Sequence, residues 1–265
     1  MRGGEYILAR IDVVAFSELS RTSAGTDVFD SIEKISSDSN ERIRRMAASS
    51  NKDLKLECRG HYGDTIDIYF RTGDYDGELI LMLLDVVAEA QKMALNLGFF
   101  IKGAIVRGSL FVTEKGFTGS AMVDAHELER GCPFPCVTIS EDVMKIIDET
   151  AHEKFRADQD FVDFKSGIIA DGCYLNYIEA CPLGLRKNSE LNLDIHRRSL
   201  ILTVERYNNV LPDDSAKCEG RVRMYEYALN NHNRVCDACG AHRERIAFTI
   251  EHVNRSKMYR VIINK

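Results

Sequence analysis

Asp12 and Asp64 are the two residues of this sequence whose type and setting point most directly to chemistry. Asp12 falls near the end of an apolar, β-rich run at residues 6–14, where an apolar residue would be cheaper in a strand buried on both faces. Asp64 follows Gly63 between two alternating runs, a strong hairpin signal. Neighbouring strands of one sheet lie under about 5 Å apart, so the two carboxylates can converge. Two hard carboxylates with few other ligands suit Mg²⁺ or Mn²⁺, which keep water and phosphate oxygens in their remaining positions. Metals held this way can activate a hydroxyl and neutralise a leaving pyrophosphate. The plainer alternative is that Asp12 caps a turn and Asp64 is the turn residue its hairpin requires. Spacing alone leaves both open.

The elements that must position these residues can be read from periodicity. A first strand covers 6–14, and a helix covers 26–49 with Val28, Ile32, Ile35, Ile43 and Met46 at helical spacing and a weak polar interruption at 36–40. Two strand-like runs follow over 54–70, then a long amphipathic helix over 77–97 that Gly98 stops. A strand pair or one long bent strand covers 99–112, with a turn at 115–119 and a short helix at 120–130. A strand at 136–139, a helix at 141–153 and strand-like sequence at 161–177 complete the first part. This order predicts an α+β fold, a ferredoxin-like antiparallel sheet with helices packed on one face, over residues 1–185. Residues 186–265 read as a mostly helical C-terminal extension, with strand character only at 258–263.

Composition narrows the class of function. The chain has 265 residues, 45% hydrophobic and 29% charged, so it can bury a core and is not disordered by composition. A net charge of -6 argues against a nucleic-acid binder that relies on global positive charge. No apolar run approaches the roughly 18 residues of a membrane helix, and the N-terminus lacks a signal-peptide layout. The eight cysteines form no repeating framework and read as reduced thiols, so the expected location is cytoplasmic. Cys236 and Cys239, with His242 and Cys218, have zinc-ligand types, but a single Cys-x-x-Cys is weak and the second pair is missing. The stretch 115–119 lacks the Gly-Lys-Ser/Thr ending of a P-loop.

Four motifs in order carry a family likeness. Asp12 is followed by Val13, Val14, Ala15, Phe16 and Ser17; Tyr62 precedes Gly63-Asp64-Thr65; a strand at 101–108 ends in Gly108; and Gly119 opens a helix that carries Ala125 and Leu128-Glu129. Together these resemble the motifs of class III nucleotidyl cyclases. The resemblance implies Asp12, Val13 and Asp64 as metal ligands and the turn at residues 14–17, with Phe16 and Ser17, as the triphosphate site. It also implies a two-metal Mn²⁺ or Mg²⁺ cofactor and a head-to-tail homodimer with active sites at the interface.

The departures from ordinary cyclases narrow the likeness further. The positions that read adenine in adenylyl cyclases are Gly60 and Gly116 here, and the usual transition-state asparagine and arginine fall on Val123 and Glu127. Arg59-Gly-His-Tyr62-Gly-Asp-Thr65, with a tail around residues 222–233, resembles the pyrimidine nucleotide cyclases of bacterial Pycsar anti-phage defence. That resemblance implies UTP, or alternatively CTP, as substrate and cUMP or cCMP with pyrophosphate as products. It further implies a separate effector that the cyclic nucleotide activates, with Tyr62 narrowing the base pocket. Lys102, Arg107 and the substrate-binding candidate Arg59 are the candidate substitutes for the missing pair in meeting phosphate charge. A diguanylate cyclase is disfavoured because its Gly-Gly-Asp/Glu signature is missing. A catalytically dead cyclase fold that binds nucleotide or dimerises is the competing class.

Overall fold

The structure is a computed structural model that describes residues 2–21, 25–50, 54–60, 63–73, 76–113, 116–131, 135–150, 161–163 and 173–175, together with Ser199, Leu202, Thr203, Arg206 and Tyr207. In chain order the elements are β1 (Arg2–Val13), α1 (Phe16–Leu19), α2 (Gly25–Ser49), β2 (Glu57–Gly60), β3 (Thr65–Arg71), α3 (Asp76–Asn96), β4 (Ile101–Thr113), β5 (Gly116–Thr118), α4 (Ser120–Gly131), β6 (Val137–Ile139), α5 (Glu141–Thr150), β7 (Phe161–Asp163) and β8 (Cys173–Leu175). The sheet runs β2-β3-β1-β4-β6-β8-β7, with β5 paired to β4. β2, β3, β1 and β4 are mutually antiparallel in the ferredoxin-like order, and β4 pairs in parallel with β6. The α+β class and the antiparallel core are as the sequence predicts. Tyr62, the Cys236/Cys239 pair and the tail at 222–233 lie outside the described residues, as does most of 186–265.

Side-chain alternation along β1 sorts the core into two layers. Ile7, Ala9, Ile11 and Val13 face one way, with Ile66, Ile68 and Phe70 of β3, and pack under α2, α3 and α5. Tyr6 and Leu8 face the other way, with Tyr69, Ala104, Val106 and Leu110, and are covered by Ala121 and Ala125 of α4. The expectation of helices on one face is therefore corrected: the small residues of α4 seat it on the opposite face. Arg10 and Asp12 continue the face of Tyr6 and Leu8 towards the end of β1. Close strand packing marks this end, since a Cβ on Gly103 would overlap the Arg10 carbonyl.

Two local expectations are also corrected. α2 runs unbroken through 36–40, because its polar residues satisfy one another along the helix. Lys34 pairs with Asp38 at 3.0 Å, and Asn40 Nδ2 donates to the Ser36 carbonyl at 3.1 Å. The stretch read as a turn at 115–119 contributes β5, three residues that pair back onto β4. In α3, the buried Asp85 forms an ion pair. Arg42 of α2 donates from Nε and Nη2 to the two Asp85 oxygens, at 2.5 and 2.9 Å. No helix among the described residues is long and apolar enough to cross a membrane.

Candidate active site

The end of β1 and the start of β3 bring Asp12 and Asp64 together. The register sets Asp12 opposite Thr65, and the Val13 amide donates to the Asp64 carbonyl at 3.1 Å. Gly63, at φ 132, makes the backbone turn ahead of Asp64 in a region that favours glycine. Asp12 and Asp64 are both partly buried, and the buried Asp12 Oδ1 accepts no hydrogen bond among the described residues. Burial first, and the Asp12 carboxylate second, push the Asp64 carboxyl above its ordinary value. Its own backbone, Thr65 and the Arg10 charge oppose that rise without cancelling it.

An orphaned buried carboxylate oxygen beside a second carboxylate fits a divalent cation. Without one, the oxygen is desolvated and the like charges repel. Val13 can add only its backbone carbonyl, since its side chain is apolar and buried. Among the described residues no group of three or more His, Cys, Asp or Glu side chains forms a metal cluster. Two carboxylates and a carbonyl leave most positions to water and phosphate, which Mg²⁺ and Mn²⁺ accept.

From Val13 the chain leaves the sheet through an unusual turn. Ala15 adopts a left-handed conformation, φ 54 and ψ 37, which only a few per cent of non-glycine residues adopt. The Phe16 ring packs edge-on against Phe29 of α2, with centroids 5.2 Å apart, so Phe16 is an anchor of the turn. Ser17 is exposed and its hydroxyl donates to Glu18 at 2.7 Å. Of the amides at residues 14–17, that of Val14 is committed to the Phe100 carbonyl at 2.9 Å.

The cations named from sequence divide by face. Lys102 lies opposite Asp12 in the β1–β4 ladder, but its ammonium is held by the buried Glu129 of α4 at 2.5 Å. Arg107 is five residues along β4 and points to the other face. There it forms a two-pronged pair with Glu5 at 2.9 Å per bond, on the face away from Asp12. Arg59 shares the face of Asp12, opposite Asp67. Its guanidinium donates to the Thr113 carbonyl at 2.8 Å and to Glu57 at 3.3 Å and lies 5.7 Å from the centre of the Tyr69 ring.

The sequence reading missed one cation at the site. Arg10 sits two residues before Asp12 on the same face, and its guanidinium lies 3.9 Å from the fully buried Asp67. Its charge is felt at Asp64. The signal was present: an arginine inside a strand buried on both faces needs an acidic partner, and Asp67 is the acidic residue of the next strand.

Beside the hairpin an open groove of about 1100 Å³ runs between α2 and the β2–β3 turn, lined in part by Phe29, Glu33, Ser36, Asn40, Gly60 and Gly63. Gly60 faces α2, where an added Cβ would come within 3.1 Å of Ser36 Oγ. Val123 and Glu127 are exposed on α4, Val123 at 57%.

No protein-family model and no curated protein matches the chain. Among solved structures it is similar to the adenylyl cyclase CyaB from P. aeruginosa, at 10% identity and a TM-score of 0.46, over 66% of this chain and 94% of that one. It is also similar to the monomeric guanylyl cyclase domain of the RhoGC fusion protein from Blastocladiella emersonii, at 14% identity and a TM-score of 0.46, covering 66% and 96%. A third is the guanylate cyclase domain of RhGC from Catenaria anguillulae in complex with GTP, at 14% identity and a TM-score of 0.44, covering 66% and 97%.

Proposed function

We propose that the protein is a nucleotide cyclase that converts a pyrimidine nucleoside triphosphate, UTP in preference to CTP, into its 3′,5′-cyclic monophosphate and pyrophosphate. The observation that carries this reading is the convergence of Asp12 and Asp64 at the open end of β1, with Asp12 Oδ1 buried and unpartnered and Asp64 held above its ordinary pKa. A bound Mg²⁺ or Mn²⁺ pair would ease deprotonation of the ribose 3′-hydroxyl and neutralise the departing pyrophosphate. Asp12, Asp64 and the Val13 carbonyl hold the metals. The amides past Val14 orient the triphosphate, and Arg10 stands on the same face to meet phosphate charge in place of the residues absent at Val123 and Glu127.

Gly60 and Gly116 offer no side chain that reads a purine, and Tyr62 supplies the base-side group. Gly116 pairs with Thr113 at one end of β4, while Asp12 pairs with Lys102 eleven residues away. In a head-to-tail homodimer the base-side residues of one chain would face the carboxylates of its partner, and twofold symmetry would duplicate the site. The product would act as a second messenger on a separate effector protein in anti-phage defence.

Exposed Val123 and Glu127 favour one competing reading, a cyclase fold that binds nucleotide without turning it over. Incubation of the protein with ATP, GTP, CTP and UTP in Mn²⁺, with products resolved by mass, decides between them. Cyclic UMP or cyclic CMP in excess over cyclic purines is the expected result. Preference for ATP overturns the pyrimidine assignment, and no cyclic product from any triphosphate overturns the cyclase.

A further inference from the structure

The place where β1 parts from β4 is held open by a residue from far along the chain. Carried one pair beyond Val13↔Ile101, the antiparallel register sets Val14 opposite Phe100. Opposed residues of a hydrogen-bonded pair exchange two bonds. One is made directly, from the Val14 amide to the Phe100 carbonyl at 2.9 Å. The return bond is not. The Phe100 amide donates to the Tyr207 hydroxyl at 3.3 Å, and that hydroxyl donates to the Val14 carbonyl at 2.8 Å. A single phenol oxygen is inserted in the last rung of the ladder.

Tyr207 is fully buried, and its ring packs against Phe100 with centroids 5.5 Å apart. Its neighbours dock it independently of that rung. Ser199, Thr203 and Tyr207 recur every four residues, and all three are helical. Ser199 Oγ donates to Asn96 Oδ1 at 2.9 Å, and Thr203 Oγ1 lies 3.3 Å from the Leu95 carbonyl. Arg206 donates to the Leu97 carbonyl at 3.2 Å and covers the Phe99 ring at 4.4 Å. These contacts tie Ser199, Thr203 and Arg206 to the C-terminal end of α3 and the residues just past it: the Asn96 side chain, the Leu95 carbonyl that the Gly98 amide also reaches, and the Leu97 carbonyl.

We infer that Tyr207 is a positioning residue for the catalytic turn. By widening the last rung, its hydroxyl sets the direction in which the Val14 peptide leaves β4 and fixes the left-handed Ala15 that follows. The backbone it aims is that of residues 13–17, which carries the Val13 carbonyl and the phosphate-facing amides. A left-handed alanine persists only where its surroundings over-determine it. Tyr207 thus serves the site through the backbone it holds. This inference rests on the cyclase reading for its catalytic consequence, but not for its geometry.

The test is Tyr207→Phe, which keeps the ring and deletes the bridging oxygen, beside Thr203→Val, which weakens docking of the same segment and leaves the rung intact. Two measurements are made on each full-length protein. One is hydrogen exchange at the Val14, Glu18 and Leu19 amides, all bonded within or next to the turn. The other is steady-state turnover of the best triphosphate in Mn²⁺. Loss of one buried hydrogen bond predicts roughly 5- to 10-fold faster exchange at those amides in Tyr207→Phe. A kcat lower by a similar factor is expected with it, at nearly unchanged KM. Thr203→Val should change neither.

Unaltered exchange in Tyr207→Phe overturns the inference, as does faster exchange with unaltered kcat. Equal changes in both variants would reduce Tyr207 to a packing residue and overturn it too. If the wild-type protein makes no cyclic product, the functional reading fails on its own. The exchange measurement then still decides whether the hydroxyl holds the turn.

Discussion

Replacing Asp64 by Asn separates a metal-binding carboxylate from a plain turn residue without any assay of activity. Asparagine keeps the size and one acceptor but removes one of two like charges. Asp64 directly precedes Thr65, the partner of Asp12, and two carboxylates about 7 Å apart repel by about 2.4 kcal/mol at an effective dielectric of 20 and by about 0.6 kcal/mol in water. Asp64 is only partly buried, so the relief falls between these limits, at about 1 kcal/mol. In a chain of 265 residues that raises Tm by roughly 2–4 °C. Metal acts with the opposite preference. Mn²⁺ at about 100 times its Kd stabilises a protein that binds it by about 2.7 kcal/mol, or roughly 5–10 °C on the same scale. Thermal melts in EDTA and in MnCl₂ should therefore cross: Asp64→Asn melts above wild type without metal and below it with metal. A variant that melts lower in EDTA yet keeps the full Mn²⁺ shift would refute the reasoning. Asp64 would then be a structural turn residue.

Two further outcomes test the frame and its buried thiol. Asp85→Ala strands the Arg42 guanidinium, whose side chain is 22% exposed, between α2 and α3. It should cost about 3–5 kcal/mol in urea unfolding, and a loss under about 1 kcal/mol would show that the pair is not desolvated as its contacts imply. Burial pushes the Cys58 thiol up to about 11, so it should resist alkylation at pH 8 until the protein unfolds. Because the unfolded thiol ionises near 8.5 and the folded one later, its contribution to stability is complete below about pH 8.5 and is lost as pH rises through about 11. Native-state labelling at the rate of a free thiol would contradict this.

The sheet was legible because period-two alternation and the Gly63-Asp64 hairpin are local signals. Both Asp12 and Asp64 fall where those signals put them. Less was legible about what each cation does. Lys102 and Arg107 differ in parity on one strand, so alternation already forbade both from facing Asp12. Which one faces it depended on the register of β1 against β4, a non-local fact. That Glu129 holds Lys102 could not be read at all, since it requires α4 to lie on the face opposite α2 and α3. Polar residues at 36–40 look like a helix break until their bonds along the helix are seen. Tyr207 gave no signal, because nothing in a polar helical stretch announces that one hydroxyl will enter a strand ladder more than 190 residues away.

The distribution of unfavourable terms bears on the choice between a metal site and a turn. Asp12 Oδ1 is buried without a partner, Asp64 is desolvated beside a like charge, and Ala15 is left-handed. Each costs on the order of 1–3 kcal/mol, and all three meet at the same end of β1. A hairpin needs none of them, because Gly63 already supplies the turn conformation. Three elements hold the arrangement: β3 through the Val13 amide, β4 through the Val14 amide, and the C-terminal segment through Tyr207. The costs also divide by kind. A divalent cation reverses the sign of the two carboxylate terms, turning repulsion into ligation, but it does nothing for the backbone at Ala15. The electrostatics therefore depend on a ligand to become favourable, whereas the turn is fixed before that ligand arrives. This is the division expected of a preorganised cation and phosphate site, and it is why the backbone latch and the carboxylate pair should respond to separate perturbations.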